Sequence, residues 1–388
     1  MRKAANAAVD VLIPAYNSER TIESAVGSIQ AQTVRNIRII VINDGSTDAT
    51  RAILERMAMT DARLHLIHQE NSGIVDALNV GLAQCTAAFI ARHDADDIAS
   101  PDRFARQLVF LRDHPDCIAV SGAVTHMDKN GRTDGGPQQF RSPDLSDPAA
   151  YPQCEPYLVH PFLMLRRSAI EAVGGYRHVF LAEDTDLYWR LQERGQLANM
   201  PDLLGFYRIH DQSLTSSSVV NGRIVAVNSQ LSGISALRRR AGRPDIPFPK
   251  SALREFREAR SLQGILAIAS RRLDAEEAER LAVASCAKML EMAAYRPYEL
   301  DTEDCRLIRA KLLPALRRMT ATDRAVCRRM LSGSAARIAA RRNLRAALRL
   351  APPRLYPMVA ARLAFRTAFP ITSRRLIRRL AGRVEYSK

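Results

Sequence analysis

The 388-residue sequence is poor in aromatic side chains, 6% in all, with a single tryptophan. Its six cysteines, at 85, 117, 154, 286, 305 and 327, form no CxxC pair and no short metal-ligand spacing. That excludes a zinc ribbon or a dense disulfide framework and fits a reducing compartment. No run approaches the roughly 18 uncharged apolar residues that a membrane-spanning helix needs. The opening stretch, MRKAANAAVDVLIPAYN, is basic but has no apolar core of signal-peptide type, so an intracellular protein, soluble or peripheral, is expected. The first strand-like segment is not followed by GxGxxG, and GxxxxGK[ST] is missing, which removes the dinucleotide fingerprint and the P-loop. The remaining composition, 47% hydrophobic and 25% charged, is globular.

Charge is distributed unevenly. Residues 241–388 hold 32 Lys/Arg against 14 Asp/Glu, a net of +18, while residues 1–240 carry 25 against 27, a net of −2. Within the basic part, residues 305–388 have 22 basic side chains and only 2 acidic ones. Two regions with different tasks are expected, divided near 220: an α/β domain over 1–220 and a basic helical region over 221–388.

Strand patterns fall at 10–14 (DVLIP), 37–42 (IRIIVI), 64–68 (LHLIH), 88–92 (AFIAR) and 118–121 (IAVS), with amphipathic helical patterns at 19–31, 47–58, 72–84 and 101–113. Ser18, Ser46 or Thr47, Asn71 or Ser72, and Ser100 resemble helix caps. This alternation predicts βαβ units and a mostly parallel sheet. Beyond 122 the pattern is irregular, with a turn at Asn130-Gly131, helical stretches near 167–173 and after Glu183-Asp184, and a late strand at 204–209. From about 221 the patterns are helical, broken by prolines.

In parallel α/β sheets ligands sit at the carboxyl ends of strands. Three segments there carry polar chemistry: Pro14, Ala15, Tyr16 and Asn17; then Asn43-Asp44-Gly45-Ser46-Thr47-Asp48; then His93-Asp94-Ala95-Asp96-Asp97. Carboxylates at i and i+2 past a strand end can hold one hard divalent cation, Mn²⁺ or Mg²⁺, which in turn holds a diphosphate; equally, DADD can be an acidic loop capping the next helix. Asp44 can accept the N3–H of a uracil ring or belong to an ordinary turn. Arg92 can reach a phosphate or pair with the acidic loop. Glu183 and Asp184 are also the residues a helix dipole favours in a first turn. His160 and His210, taken singly, read as structural histidines.

Taken together and in order, VLIPAYN, VINDGSTD, NSGIVDALNVGL, ARHDADD, GGY…AEDTDLYWRL and YRIH resemble the family 2 inverting glycosyltransferases of the GT-A fold, the type that builds bacterial cell-surface polysaccharide, over roughly residues 8–215. The resemblance implies a GT-A α/β fold, hexosyl transfer from a nucleotide diphosphate-sugar, and Mn²⁺ or Mg²⁺ as cofactor. It implies nucleotide-sugar contacts from Pro14, Ala15, Tyr16, Asn17, Asp44, Asn71, Arg92 and Asp94. It implies metal contacts from Asp94, Asp96 and, as in some relatives, His210. Asp184 is then the general base, supported by Glu183. The chemistry suits these types: charge builds on the leaving diphosphate, and the attacking hydroxyl must lose a proton on the opposite face. An aspartate opening a helix should be a weak base. His93 stands where such enzymes often have Met, and 124–157 carries no legible motif.

In the basic region Arg337, Arg341, Arg345 and Arg349 recur at i+4 with Arg342 beside them. Farther on, Leu376, Ile377, Leu380 and Val384 share a helical face that Arg374, Arg375, Arg378, Arg379 and Arg383 mostly avoid. Such helices lie on anionic membrane surfaces, but a solvated or protein-contacting face and nucleic-acid binding are the alternatives. The expected partners are therefore a nucleotide-sugar, a glycan or lipid-linked acceptor, and an anionic membrane. The expected location is the inner face of the cell membrane. Two competing functions remain at this level: a nucleotide-sugar-forming nucleotidyltransferase, which would need a glycine-rich phosphate loop that residues 14–17 do not supply, and a non-enzymatic nucleic-acid-binding protein.

Overall fold

The computed structural model describes residues 7–133, 135–209, 218–296 and 299–368. The chain forms two compact units. One comprises 1–148, 154–213 and 232–253; the other takes 149–153, 214–231 and everything from 254.

The first unit is α/β. Its elements are β1 (Val9–Ala15), α1 (Ile22–Gln30), β2 (Ile37–Asp44), α2 (Thr50–Ala58), β3 (Leu64–Gln69), α3 (Ile74–Leu82), β4 (Phe89–Arg92) and β5 (Ile98–Ala99). They continue with α4 (Arg103–Asp113), β6 (Cys117–Met127), β7 (Met164–Arg166), α5 (Arg167–Ala172), α6 (Glu183–Gln192) and β8 (Gln196–Arg208). The strand order is β3-β2-β1-β4-β7-β6-β8-β5. The four strands β3, β2, β1 and β4 are parallel. β7 runs antiparallel to both β4 and β6, β6 and β8 are parallel, and β5 is antiparallel to β8. The sheet is therefore mixed, with its parallel half where the alternating pattern predicts it.

β1 explains why these strands read as unbroken apolar runs. Val9, Val11 and Ile13 face one buried layer with Ile22, Val26 and Ile29 of α1 and Phe104 of α4. Leu12 faces the other, with Val75 and Leu78 of α3 and Leu187 and Leu191 of α6. Side chains alternate across a strand, so helices on both faces require apolar residues at every position. Gly81 permits α3 to lie close on this sheet, since a Cβ there would come within 2.1 Å of Leu12 Cδ1. Chain order reverses at β1: β2 and β3 extend one way and β4 lies on the other side. The loops after β1 and β4 therefore flank a topological switch point.

α7 (Val219–Arg240) passes from the second unit's residues into the first's. The second unit continues through α8 (Ala252–Glu258), α9 (Leu262–Ser270), α10 (Ala275–Met292), α11 (Thr302–Ala315), α12 (Ala321–Ala340), α13 (Leu344–Leu350) and α14 (Tyr356–Ala368). Its core draws Leu281, Cys286 and Leu290 from α10, Cys305, Ile308 and Leu312 from α11, and Cys327, Leu331 and Ala335 from α12. Two acidic caps also bind a buried arginine: Arg223 pairs with Asp301 and, at 2.8 Å, with Asp304. The expected arginine stripe does not lie on one helix. α12 stops at Ala340, Arg342 takes φ +65°, and the Asn343 side chain accepts from Ala346 N to open α13. The apolar-faced segment 376–384 lies outside the described residues, as does His210. Among the described residues no helix is long and apolar enough to cross a membrane.

Candidate active site

Three loops at the carboxyl ends of β1, β2 and β4 are tied to one another and to β3 and β8. Asn17, at φ +48°, accepts from Thr47 N through its Oδ1 at 2.8 Å, and its own N–H donates to Ser46 Oγ. Glu19 N donates to Asp48 Oδ2, while Glu19 Oε2 accepts from Ala49 N. These reciprocal bonds fix the turn of Pro14, Ala15, Tyr16 and Asn17 against the DGSTD loop and leave Tyr16 half exposed. Asp44, buried at the end of β2, accepts from Gln69 Nε2 and Ser72 N on Oδ1 and from Gly73 N on Oδ2. It thereby holds the loop that carries Asn71. Gly45 (φ +71°) is required there, because a Cβ would meet Asn71 N at 2.6 Å.

The acidic loop after β4 rests on two arginines. Arg103, fully buried, donates to the Arg92 and Leu163 carbonyls. Arg208, at the end of β8, donates its backbone N–H to Asp97 Oδ1 and its Nε to the Asp96 carbonyl. Held in this way, Asp94, Asp96 and Asp97 each present a carboxylate oxygen, and these lie within 4.8 Å of one another. Asp97 is 1% exposed, and its Oδ2 has no hydrogen-bond partner among the described residues. Burial, then the charges of Asp94 and Asp96, drives its carboxyl well above the usual range. Three hard oxygen donors gathered at one point fit Mg²⁺ or Mn²⁺. Asp97 was not among the residues expected from sequence. It stands in DADD itself, and its signal was simply the fourth letter of the motif.

Arg92 is buried and pairs with Asp94, and its Nε has no hydrogen-bond partner among the described residues. Its charge also acts on Glu183 and Asp184 at the start of α6. The acidic loop and the acidic pair thus converge on one guanidinium. Burial, then the Asp184 charge, raises Glu183 to about 8. Asp184 is raised as well, with burial the largest cause, although its Oδ1 accepts from Thr185 N. The weak base expected of an aspartate at a helix start is therefore corrected: desolvation outweighs the first-turn N–H. Asp186, two residues on, is fully buried between Arg177 and Arg190, so it is an internal ion pair and not a group open to substrate. His160 bonds Tyr176 Oη through Nε2 at 2.8 Å. His93 is buried and stays neutral, pushed down by burial and by Arg103 and Arg92.

The family described as Glycosyl transferase family 2 matches residues 10–174. A glycosyltransferase of Haemophilus influenzae, described as uncharacterized, is 33% identical over 225 residues, 55% of this chain and 68% of that protein. The amylovoran biosynthesis glycosyltransferase AmsE of Erwinia amylovora is 30% identical over 200 residues, covering 50% of this chain and 73% of its own. The chain belongs to glycosyltransferase family 2. It is thus a transferase enzyme, with the GT-A arrangement of sheet and helices followed by a helical region. Similar solved structures include S. aureus TarS 1-349 in complex with UDP-GlcNAc (18% identity, 80% of this chain and 91% of that one, TM-score 0.49). Another is the mannosyltransferase PcManGT from Pyrobaculum calidifontis in complex with GDP-Man and Mn2+ (19% identity, 84% and 86%, TM-score 0.46). The family match ends before α6, so the acidic pair at 183–184 lies beyond it.

Proposed function

We propose that this family 2 enzyme transfers a sugar, with inversion, from a nucleotide diphosphate-sugar to a hydroxyl of a glycan or lipid-linked acceptor. The observation that carries the reading is that the acidic loop, through Asp94 and Asp97, and the pair at 183–184 act on one guanidinium, Arg92, with Asp96 completing the carboxylate cluster. Asp94, Asp96 and Asp97 would hold a divalent cation, which when bound supplies positive charge to the leaving diphosphate.

This chain's own residues do the rest. Asp184, its basicity raised by burial, takes the acceptor hydroxyl proton as the oxygen attacks C1. Glu183 holds a proton at neutral pH and so spares Asp184 a second adjacent negative charge. Arg92 orients Asp94 and faces the phosphates. The turn at 14–17 and Asn71 border the nucleoside. Asp44 accepts three hydrogen bonds from the protein, and a carboxylate has about four lone-pair positions, so one is left for a uracil N3–H. Uridine is thus the proposed base. The basic helical region places the enzyme at an anionic membrane surface, on the cytoplasmic side, where a lipid-linked acceptor would be met.

The test is differential thermal stabilisation of the full chain by UDP-, GDP- and ADP-sugars with Mn²⁺, Mg²⁺ or chelator. Uridine preference that depends on a divalent cation is expected. Unchanged stabilisation in chelator would remove the cation from the reading, and a purine preference would remove the role of Asp44.

A further inference from the structure

α13 packs into the helical unit through Ala346, Ala347 and Leu350, all buried. On its opposite side Leu344 is 59% exposed and Leu348, one turn on, 52%. Arg345 and Arg349 repeat the same spacing beside them, so an apolar pair and a basic pair run in parallel along one face. Of the arginine stripe read from sequence these two stay together, while Arg341 is taken by Glu299. Arg306 of α11 completes the basic side. Arg349 is held below its ordinary value by partial burial, then by Arg306 and Arg345, so the three cations stand close enough to repel. None of the three pairs with a carboxylate among the described residues, and Glu303, one turn before Arg306, forms no ion pair there either. The face is fixed from both ends. Asn343 caps the start of α13. At its end the Leu348 carbonyl would look to residue 352, a proline without an N–H, and Arg309 Nη1 of α11 donates to it instead at 3.1 Å.

We infer that this face docks on an anionic lipid bilayer, its leucines in the acyl boundary and its arginines at the headgroups. Cations that repel one another and have no carboxylate partner are relieved by a dense anionic surface. Helices lying in a membrane interface seat an apolar side about 5–10 Å deep and keep cationic heads above it, which is the pairing that Leu344 and Leu348 make with Arg345 and Arg349. Single strands of nucleic acid are held by aromatic rings on which bases stack, and these five side chains include none.

The inference rests on the reading of the basic region as membrane-facing, and its test separates the two. The full-length chain is titrated with vesicles of phosphatidylglycerol in phosphatidylcholine, with phosphatidylcholine alone, and with a single-stranded polynucleotide. Arg345→Gln with Arg349→Gln should lose roughly ten- to thirtyfold in affinity for the anionic vesicles. Leu344→Ser with Leu348→Ser, which leaves the charge unchanged, should lose at least about tenfold. The charge-matched control is Arg328→Gln with Arg329→Gln on α12, both exposed and unpaired among the described residues, and it should lose only a few-fold. Leu348→Trp adds a reporter to a chain whose one native tryptophan, Trp189, is fully buried. Its emission should shift to the blue on anionic vesicles and be quenched by brominated acyl chains. If either paired variant disturbs folding by circular dichroism, that emission decides.

Losses no larger than the control's, with no blue shift, leave the membrane reading to the rest of the basic region and overturn the face. Indifference to every vesicle overturns both. Salt-sensitive binding to the polynucleotide, with vesicles ignored, gives the region to nucleic acid and overturns both as well.

Discussion

The two units secure their helix starts in opposite ways. In the helical unit, α9 through α13 each begin with a residue whose own side chain caps the helix. These are Ser261 to Gly264 N, Asp274 and Asp301 in reciprocal capping boxes, Thr320 to Asp323 N, and Asn343 to Ala346 N. In the α/β unit none of α1 through α6 has such a cap. There several N–H groups are taken by groups that the fold brings in, Asp44 for Ser72 and Gly73 and Glu19 for Ala49, alongside local carboxylates such as Asp48 for Thr50. Local caps make each helix start self-sufficient. Long-range ones couple helix starts to the loops of the candidate site, so damage to the site and damage to the fold should be harder to separate in the α/β unit.

Five measurements sharpen or break that contrast. Asp184→Asn should lower turnover by roughly 10²- to 10⁴-fold while donor affinity survives; loss of donor affinity at unchanged saturated rate would make Asp184 a binding residue. Asp96→Ala should cost about 10²- to 10³-fold in turnover and abolish any response to Mn²⁺. Full activity of wild type in excess chelator would refute that role. Asp186→Asn removes the charge that Arg177 and Arg190 share, leaving Arg177 with Asp245 alone, and should cost about 3–5 kcal/mol of stability, read by denaturant unfolding, with the rate per folded molecule retained.

The fourth measurement is a pH profile. Glu183 lies at about 8 in the folded chain against an ordinary 4.5, so the folded state binds more protons between those values. Its contribution to stability is complete at the acid end and lost as pH rises through that window. The melting temperature without ligand should fall over that range, and Glu183→Gln should flatten the fall. The smallest effect belongs to the helical unit: Asp274→Ala should cost about 0.5–2 kcal/mol and leave turnover unchanged. A change in turnover there would mean that its caps are not independent of the site.

The same contrast explains what was legible beforehand. β1, β2 and β4 are readable because helices cover both faces of that half-sheet and favour apolar runs, and β3 because Leu64, Leu66 and Ile67 stand among exposed histidines. β8 was expected at 204–209 but begins at Gln196, since its first residues, QLANMPD, are fixed by pairing with β6 across register shifts and not by their own pattern. The capping expected for α1 to α4 differs for a related reason. Ser18 contributes its carbonyl and Ser46 Oγ accepts from Asn17, neither acting as a side-chain cap. In the site, DADD and the 183–184 pair were visible as motifs. The burial that turns Asp184 into a stronger base is invisible in the motif, and of the two arginines beneath the acidic loop Arg103 follows it closely on α4 while Arg208 arrives on β8 from far along the chain.

The interleaving of the units bears on how the molecule is made. Residues 149–153 belong with helices synthesised later, and 232–253 complete a unit begun far earlier. A nascent chain that has emerged as far as residue 220 therefore still lacks 232–253, and with it Asp245, the partner of Arg177 and Arg239. Folding during synthesis must wait for that return. For the same reason no single recombination point in the gene would exchange one unit while sparing the other.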